Sequence, residues 1–203
     1  MKPILNWRLA SERRYTIEDY FSIEESSAIK HEFLGGDIFA MAGTSLQHNR
    51  INGNVYTALR TRLQLLDCEV FSSDLRLRTP GGLYTYPDLM VVCGSIELSP
   101  TDRLDTILNP AVIIEILSES TRNYDRGEKF RLYLQLPSLL DYMLIEQGMP
   151  LVDHYTLTAG GNQLNRWTQH QHTALNESVA LESLGIELPL SDIYTGVDFD
   201  DAR

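Results

Sequence analysis

Residues Ala111-Val112-Ile113-Ile114-Glu115-Ile116-Leu117 form an almost unbroken apolar and β-branched run, preceded by Pro110. Such a run reads as a strand buried on both faces rather than as the alternating pattern of a strand with one wet side. A strand of that kind needs cover above and below. The fold class that follows is α/β (α+β), a central mixed β-sheet flanked by helices. With 203 residues, 43% of them hydrophobic, the chain can bury one sizeable core.

The flanking segments fill in that plan. Thr16 caps a helix from Ile17 to about Ser26, with Asp19 at the capping-box position. His31–Leu34 and Ile38–Met41, on either side of Gly35-Gly36, read as a β-hairpin. Ile51, Val55, Leu59, Leu63 and Leu66 make one apolar stripe of a second helix, with Arg50, Arg60 and Arg62 off the stripe. Strand-like runs follow at Glu69–Ser72, Leu75–Arg78 and Tyr86–Val92, with Pro80-Gly81-Gly82 as the turn between the last two. A helix is expected from about Asp125 to Leu136, then a strand over Tyr142–Ile145. Val152–Thr158 and Gln163–Thr168, around Gly160-Gly161, read as an added antiparallel hairpin. Glu182 to Asp201 is acidic and reads as a solvated end. The expected organisation is an N-terminal extension over 1–14, a single domain over 15–195 and an acidic tail over 196–203.

The formal net charge of −11 argues against a passive nucleic-acid coat protein. It leaves a metal-using enzyme open, because the charge near a bound cation is set by local carboxylates. Cys68 and Cys93 stand in apolar, strand-like surroundings and read as reduced core thiols of a cytoplasmic protein, with a disulfide between them as the less favoured alternative. Met1–Arg14 lacks the apolar core of a signal peptide, and no apolar run approaches the roughly 20 residues of a membrane span.

Two acids interrupt apolar strands. Asp88 stands between Pro87 and Leu89-Met90-Val91-Val92, and Glu115 lies inside the run already described. A carboxylate so placed must be paired, protonated or bound to a cation. For one such acid, an ion pair with a core arginine or lysine is the commoner outcome. For two near strand ends, metal binding gains, since Mg²⁺ takes one or two carboxylates plus waters. Residues two apart on a strand share a face, so a Glu-x-Lys strand aims a carboxylate and an ammonium at one place. Here the position two after Glu115 is Leu117, and the ammonium must come from elsewhere. Lys129, on the helix after the Glu115 strand, is the candidate. Its alternative is a surface ion pair with Asp125, four residues earlier. Glu32 is a third acid that could reach the site. His48 could contact phosphate or act as an acid, or serve as a cap, and Asp74 fits a turn.

Several segments occur together in a fixed order. They are Tyr15-Thr16-Ile17-Glu18-Asp19-Tyr20, His31-Glu32-Phe33, Met41-Ala42-Gly43, His48-Asn49-Arg50-Ile51, Phe71-Ser72-Ser73-Asp74, Tyr86-Pro87-Asp88, Ile114-Glu115-Ile116-Leu117-Ser118, Tyr124-Asp125-Arg126-Gly127-Glu128-Lys129 and Leu136-Pro137-Ser138. In this set the chain resembles the Uma-type family of bacterial proteins, grouped with restriction endonucleases in the PD-(D/E)XK superfamily. The resemblance implies a restriction-endonuclease-like core and a divalent metal, Mg²⁺ or alternatively Mn²⁺, on Asp88 and Glu115, with Glu32 as a further ligand. It implies that Lys129 replaces the lysine missing at Leu117, and that the activity is metal-dependent hydrolysis of DNA phosphodiesters. A local basic strip of Arg50, Arg76 and Arg78 would supply phosphate contacts, and a homodimer would supply the two sites that double-strand cutting needs. The rival expectation is a nuclease-fold binding or assembly module with little turnover.

Overall fold

A computed structural model of the chain describes residues 14–41, 43–119, 121–158 and 166–199. The expected N-terminal extension before Arg14, the Gly160-Gly161 turn, residues 163–165 and the acids at 200 and 201 lie outside the described residues.

Helix α1 (Ile17–Ser26) leads into the hairpin β1 (His31–Leu34) and β2 (Asp37–Ala40), then the long helix α2 (Leu46–Leu63). Strands β3 (Cys68–Ser72), β4 (Arg76–Arg78), β5 (Tyr84–Thr85), β6 (Leu89–Cys93), β7 (Thr106–Ile107) and β8 (Val112–Leu117) follow. A helical segment then runs through α3 (Arg122–Tyr124), a π-helical turn (Asp125–Lys129) and α4 (Phe130–Tyr133). The chain continues through β9 (Asp141–Glu146), β10 (Val152–Thr158), β11 (Arg166–His172), β12 (Ser178–Leu181), β13 (Ile186–Pro189) and α5 (Leu190–Ile193). The expected capping box is formed: the Thr16 hydroxyl accepts from Asp19 N, and the Asp19 carboxylate accepts from Thr16 N.

The central sheet has the order β11-β10-β9-β8-β6-β3. β8 and β9 run parallel and the other neighbours antiparallel, so the sheet is mixed as expected. All six residues of β8 are buried. Val112, Ile114 and Ile116 pack with Ile51, Val55, Leu59 and Leu63 of α2. Ile113 and Leu117 pack on the opposite side with Tyr133, Leu136 and Tyr142. Alternation along the strand therefore turns Glu115 toward the helical segment rather than toward α2. The added hairpin forms over β10 and β11, with Thr158 opposite Arg166.

A second sheet, β2-β1-β5-β4-β7, packs beside the first. Its hairpin closes an aromatic cluster of Tyr20, Phe21, Phe33 and Tyr84. The expected strand over Tyr86–Val92 is shortened to β6, which begins at Leu89 in the central sheet, while β5 just before it belongs to the small sheet. Pro87 lacks the N–H that strand pairing needs, and Asp88 stands at the crossover between the two sheets.

Four expectations are corrected. The α2 stripe ends at Leu63, and Leu66 lies beyond the helix with 46% of its surface exposed. Cys68 and Cys93 are not reduced core thiols. They face each other across β3 and β6, half-buried, and are joined in a disulfide. The helical segment begins at Arg122, three residues before the expected start. The stretch after Glu182 is not solvated up to Phe199, because Leu184, Leu188, Leu190, Ile193 and Tyr194 are buried in the core under α2, with Val197 and Phe199 packed against it. Its acids sit on the outer side of an amphipathic hairpin and helix, which gave the segment a polar composition. Among the described residues no helix is long and apolar enough to cross a membrane.

Candidate active site

Four elements converge at the C-terminal end of β8. β8 itself offers Glu115, the crossover offers Asp88, the π-helical turn offers Lys129 and Asp125, and β1 of the small sheet offers Glu32. A π-turn widens the helix by one residue and is often found at functional sites. Here it turns Asp125 and Lys129, both buried, onto the sheet.

Lys129 Nζ lies 2.9 Å from Glu115 Oε1, 3.0 Å from Glu32 Oε1 and 3.6 Å from Asp125 Oδ1. Its side chain is 6% exposed. The surface ion pair between Asp125 and Lys129 is thereby overturned, because both residues are buried. The ammonium occupies the same face of β8 as Leu117, the position where the lysine of a Glu-x-Lys strand would stand.

Asp88 and Glu115 are tied to each other through the backbone. Ile116 N donates to Asp88 Oδ2 at 2.8 Å, and Asp88 N donates to Glu115 Oε2 at 3.3 Å. Tyr133 donates its hydroxyl to Glu115 Oε1 at 2.7 Å. His48, at the start of α2 and buried, places Nε2 3.1 Å from Asp88 Oδ2. Its Nδ1 is buried with no hydrogen-bond partner among the described residues. Glu32 accepts from the Thr85 hydroxyl as well as from Lys129, so this acid faces the lysine.

Sequence reasoning singled out Asp88, Glu115, Lys129 and Glu32, and these lie together. It left His48 undecided and missed Tyr133 altogether. The only signal for His48 was its place in an ordered segment, and Tyr133, four residues after Lys129 on a helix, gave none. Asp74 lies outside the site, where its carboxylate pairs with Lys30 and Leu75 N closes the expected turn on Ser72 O. The expected basic strip does not form. Arg76 is 1% exposed, its guanidinium stacked over Tyr20, Phe21 and Tyr84 and bonded to Thr106 and Leu104. Arg78 pairs with Asp102, and Arg50 donates to Gly196 O. Strand alternation alone does not distinguish an inward arginine from an outward one.

The electrostatics follow from counting charges. Glu115, Glu32 and Asp125 surround one ammonium, and Asp88 adds a further acid beside Glu115. Burial pushes the Glu115 carboxyl up to about 8, with Asp88 and Asp125 adding to the rise and Lys129 opposing it. Burial disfavours the charged Lys129, yet Glu115, Glu32 and Asp125 outweigh it and hold the amine well above its ordinary value. Burial likewise works against a charged His48, and the bond to Asp88 with the nearby acids reverses the sign, raising it. For His48 and Lys129 it is the neighbouring acids that overcome burial, so negative charge is in surplus around both.

That surplus is also what a hard divalent cation requires. Among the described residues no three His, Cys, Asp or Glu side chains gather as a closed metal cage. Two carboxylates with the remaining positions left to water and substrate suit Mg²⁺ better than a closed cage would. Asp88, 15% exposed against 5% for Glu115, provides the solvent-facing edge. The residues present therefore fit such an ion.

A family model described as "Putative restriction endonuclease", Uma2, matches residues 17–191. The chain belongs to the Uma2 family. It is 36% identical to the protein slr1290 of Synechocystis sp. (strain PCC 6803) over 185 residues, covering 90% of this chain and 92% of that one. A second Synechocystis protein, sll1609, is 34% identical over 148 residues, covering 72% and 83%. The fold resembles the crystal structure of "a putative nuclease" from Anabaena variabilis ATCC 29413, with a TM-score of 0.65 and 17% identity, covering 83% of this chain and 92% of the other. That match extends the nuclease-like α/β fold to this Uma2 chain.

Proposed function

We propose that this chain is a metal-dependent endonuclease that hydrolyses DNA phosphodiesters with Mg²⁺, or Mn²⁺ in its place. The observation that carries the reading is the buried Lys129 amine 2.9 Å from Glu115, delivered by a helix to the face where Leu117 leaves no ammonium. A lysine turned to solvent would have favoured a binding module. Family membership supports the same chemistry.

Asp88 and Glu115 would hold the cation, which supplies Lewis-acid polarisation of a phosphate oxygen and of a water. Lys129 keeps its proton and offers the ammonium to charge developing on the phosphoryl group. Glu32, expected as a third ligand, reads better as the group that holds Lys129 in place, since its carboxylate is engaged by that amine and by Thr85. His48 orients the Asp88 carboxylate through Nε2.

The test is cleavage of plasmid and linear DNA by purified protein with Mg²⁺, Mn²⁺ or EDTA. Wild type cuts only with metal, and Asp88→Asn loses at least a hundredfold in rate while melting as a folded protein. Full metal-dependent activity in Asp88→Ala would remove this assignment. A homodimer is the matching assembly for double-strand cutting, read by light scattering.

A further inference from the structure

An open groove of about 400 Å³ runs along α2, lined by Asn49, Asn52, Gly53, Tyr56 and Thr57 and closed on its far side by Ser72 and Ser73. It adjoins the candidate active site: Asn52 Nδ2 comes within 3.5 Å of the Asp88 carbonyl, and Ser72 pairs across the sheet with Leu89, the residue after Asp88.

Two features of the groove stand out. The first is Gly53, in the middle of an 18-residue helix. A mid-helix glycine destabilises a helix relative to alanine. Packing normally explains such a residue, but a Cβ built on Gly53 meets nothing within 4 Å among the described residues. Nothing described in the chain uses the space that the missing side chain leaves. The second feature is that every lining residue is uncharged, in a protein whose acids outnumber its bases. The groove is therefore no phosphate track. Amides and hydroxyls suit base edges and sugars, and the Tyr56 ring, on a residue 37% exposed, offers a stacking face.

We infer that this groove seats one unpaired nucleotide of the nucleic-acid strand, next to the phosphate cut at Asp88 and Glu115. The sugar of that nucleotide passes over Gly53, its base lies against Tyr56, and Asn49, Asn52 and Ser73 meet its polar edges. This rests on the nuclease reading of the site and adds to it a substrate class: single strands, frayed ends or flaps in preference to intact duplex.

The experiment uses the full chain and a short fluorescein-labelled single-stranded oligodeoxynucleotide, with its duplex as control. Anisotropy is read with Ca²⁺, and cleavage with Mn²⁺. Gly53→Ala is expected to raise the Tm by roughly 2–4 °C, because the helix gains and nothing is crowded. Gly53→Leu is expected to fold and to bind the single strand at least tenfold more weakly. Tyr56→Ala is expected to lose about tenfold, the size of one base–aromatic stack. Cleavage with wild-type rates in both Gly53→Leu and Tyr56→Ala would overturn the groove while leaving the nuclease reading intact. Oligonucleotide binding that Gly53→Leu abolishes, in a protein that cuts nothing, would support the groove and remove the nuclease reading. Equal affinity for duplex and single strand overturns the unpaired-nucleotide assignment, and a Tm that falls in Gly53→Ala overturns its premise.

Discussion

Replacing Lys129 by methionine separates a buried site from an ordinary surface pair by magnitude alone. The methionine keeps the length of the side chain and removes the charge. In the native protein the ammonium touches Glu115 and Glu32 at 2.9 and 3.0 Å, with Asp125 at 3.6 Å, and none of these side chains is more than 10% exposed. Removing one partner from a buried ion pair costs about 3–5 kcal/mol, because the remaining charge stays desolvated. An exposed i,i+4 pair is worth less than about 1 kcal/mol. For a chain of this size each kcal/mol moves the Tm by roughly 2–4 °C. Lys129→Met should therefore lower the Tm by roughly 6–20 °C, measured by circular dichroism and checked by urea titration. Above about pH 8, where Glu115 is ionised, the double variant Glu115→Gln/Lys129→Met should recover part of the loss, since it removes one stranded charge. A Tm within roughly 2 °C of wild type for the single variant would refute a buried Lys129 and return it to the surface.

Three further outcomes are expected. Arg76→Met should lose at least about 2 kcal/mol in urea unfolding, from its cation–π contacts and its bonds to Thr106 and Leu104, while DNA affinity stays unchanged; weakened DNA binding without loss of stability would put Arg76 back on the surface. Reducing the Cys68–Cys93 bridge, which closes a span of 25 residues, should cost about 3 kcal/mol, seen as a lower Tm in dithiothreitol that Cys68→Ser/Cys93→Ser reproduces without reductant; a Tm indifferent to reductant would mean no such bridge forms. In metal-free protein, folded Glu115 retains a proton up to about pH 8 that the unfolded chain releases near its ordinary value of 4.5, so this residue's contribution to stability falls as pH rises through that window. Glu115→Gln should flatten that part of the Tm–pH profile, and an unchanged slope would show that the carboxyl is not raised.

The sequence made some parts of this molecule easy to read and others opaque. β8 was legible because burial on both faces leaves no polar position, so Glu115 stood out against it. α1 was legible through Thr16 and Asp19, whose cap is a local contact. Lys129 could be named only by elimination at Leu117, because a helix segment does not state which way it leans. The late start of β6 was hidden, since Tyr86–Val92 reads as one strand and only Pro87 marks the crossing. Arg76 was misread because a guanidinium stacked among rings has the same letter as one in water. The disulfide was hidden for a similar reason: two cysteines 25 residues apart become a cross-strand pair only once the register of β3 on β6 is known.

The crossover at Asp88 has a consequence for how the protein comes into being. Glu32 belongs to one sheet and Glu115 to the other, so the pocket does not exist until the two sheets have docked. During synthesis from the N-terminus, Glu32, His48 and Asp88 leave the ribosome before Glu115, and Lys129 leaves last. A nascent chain thus carries its acids without the ammonium that holds them together. The half-made form therefore has no assembled site.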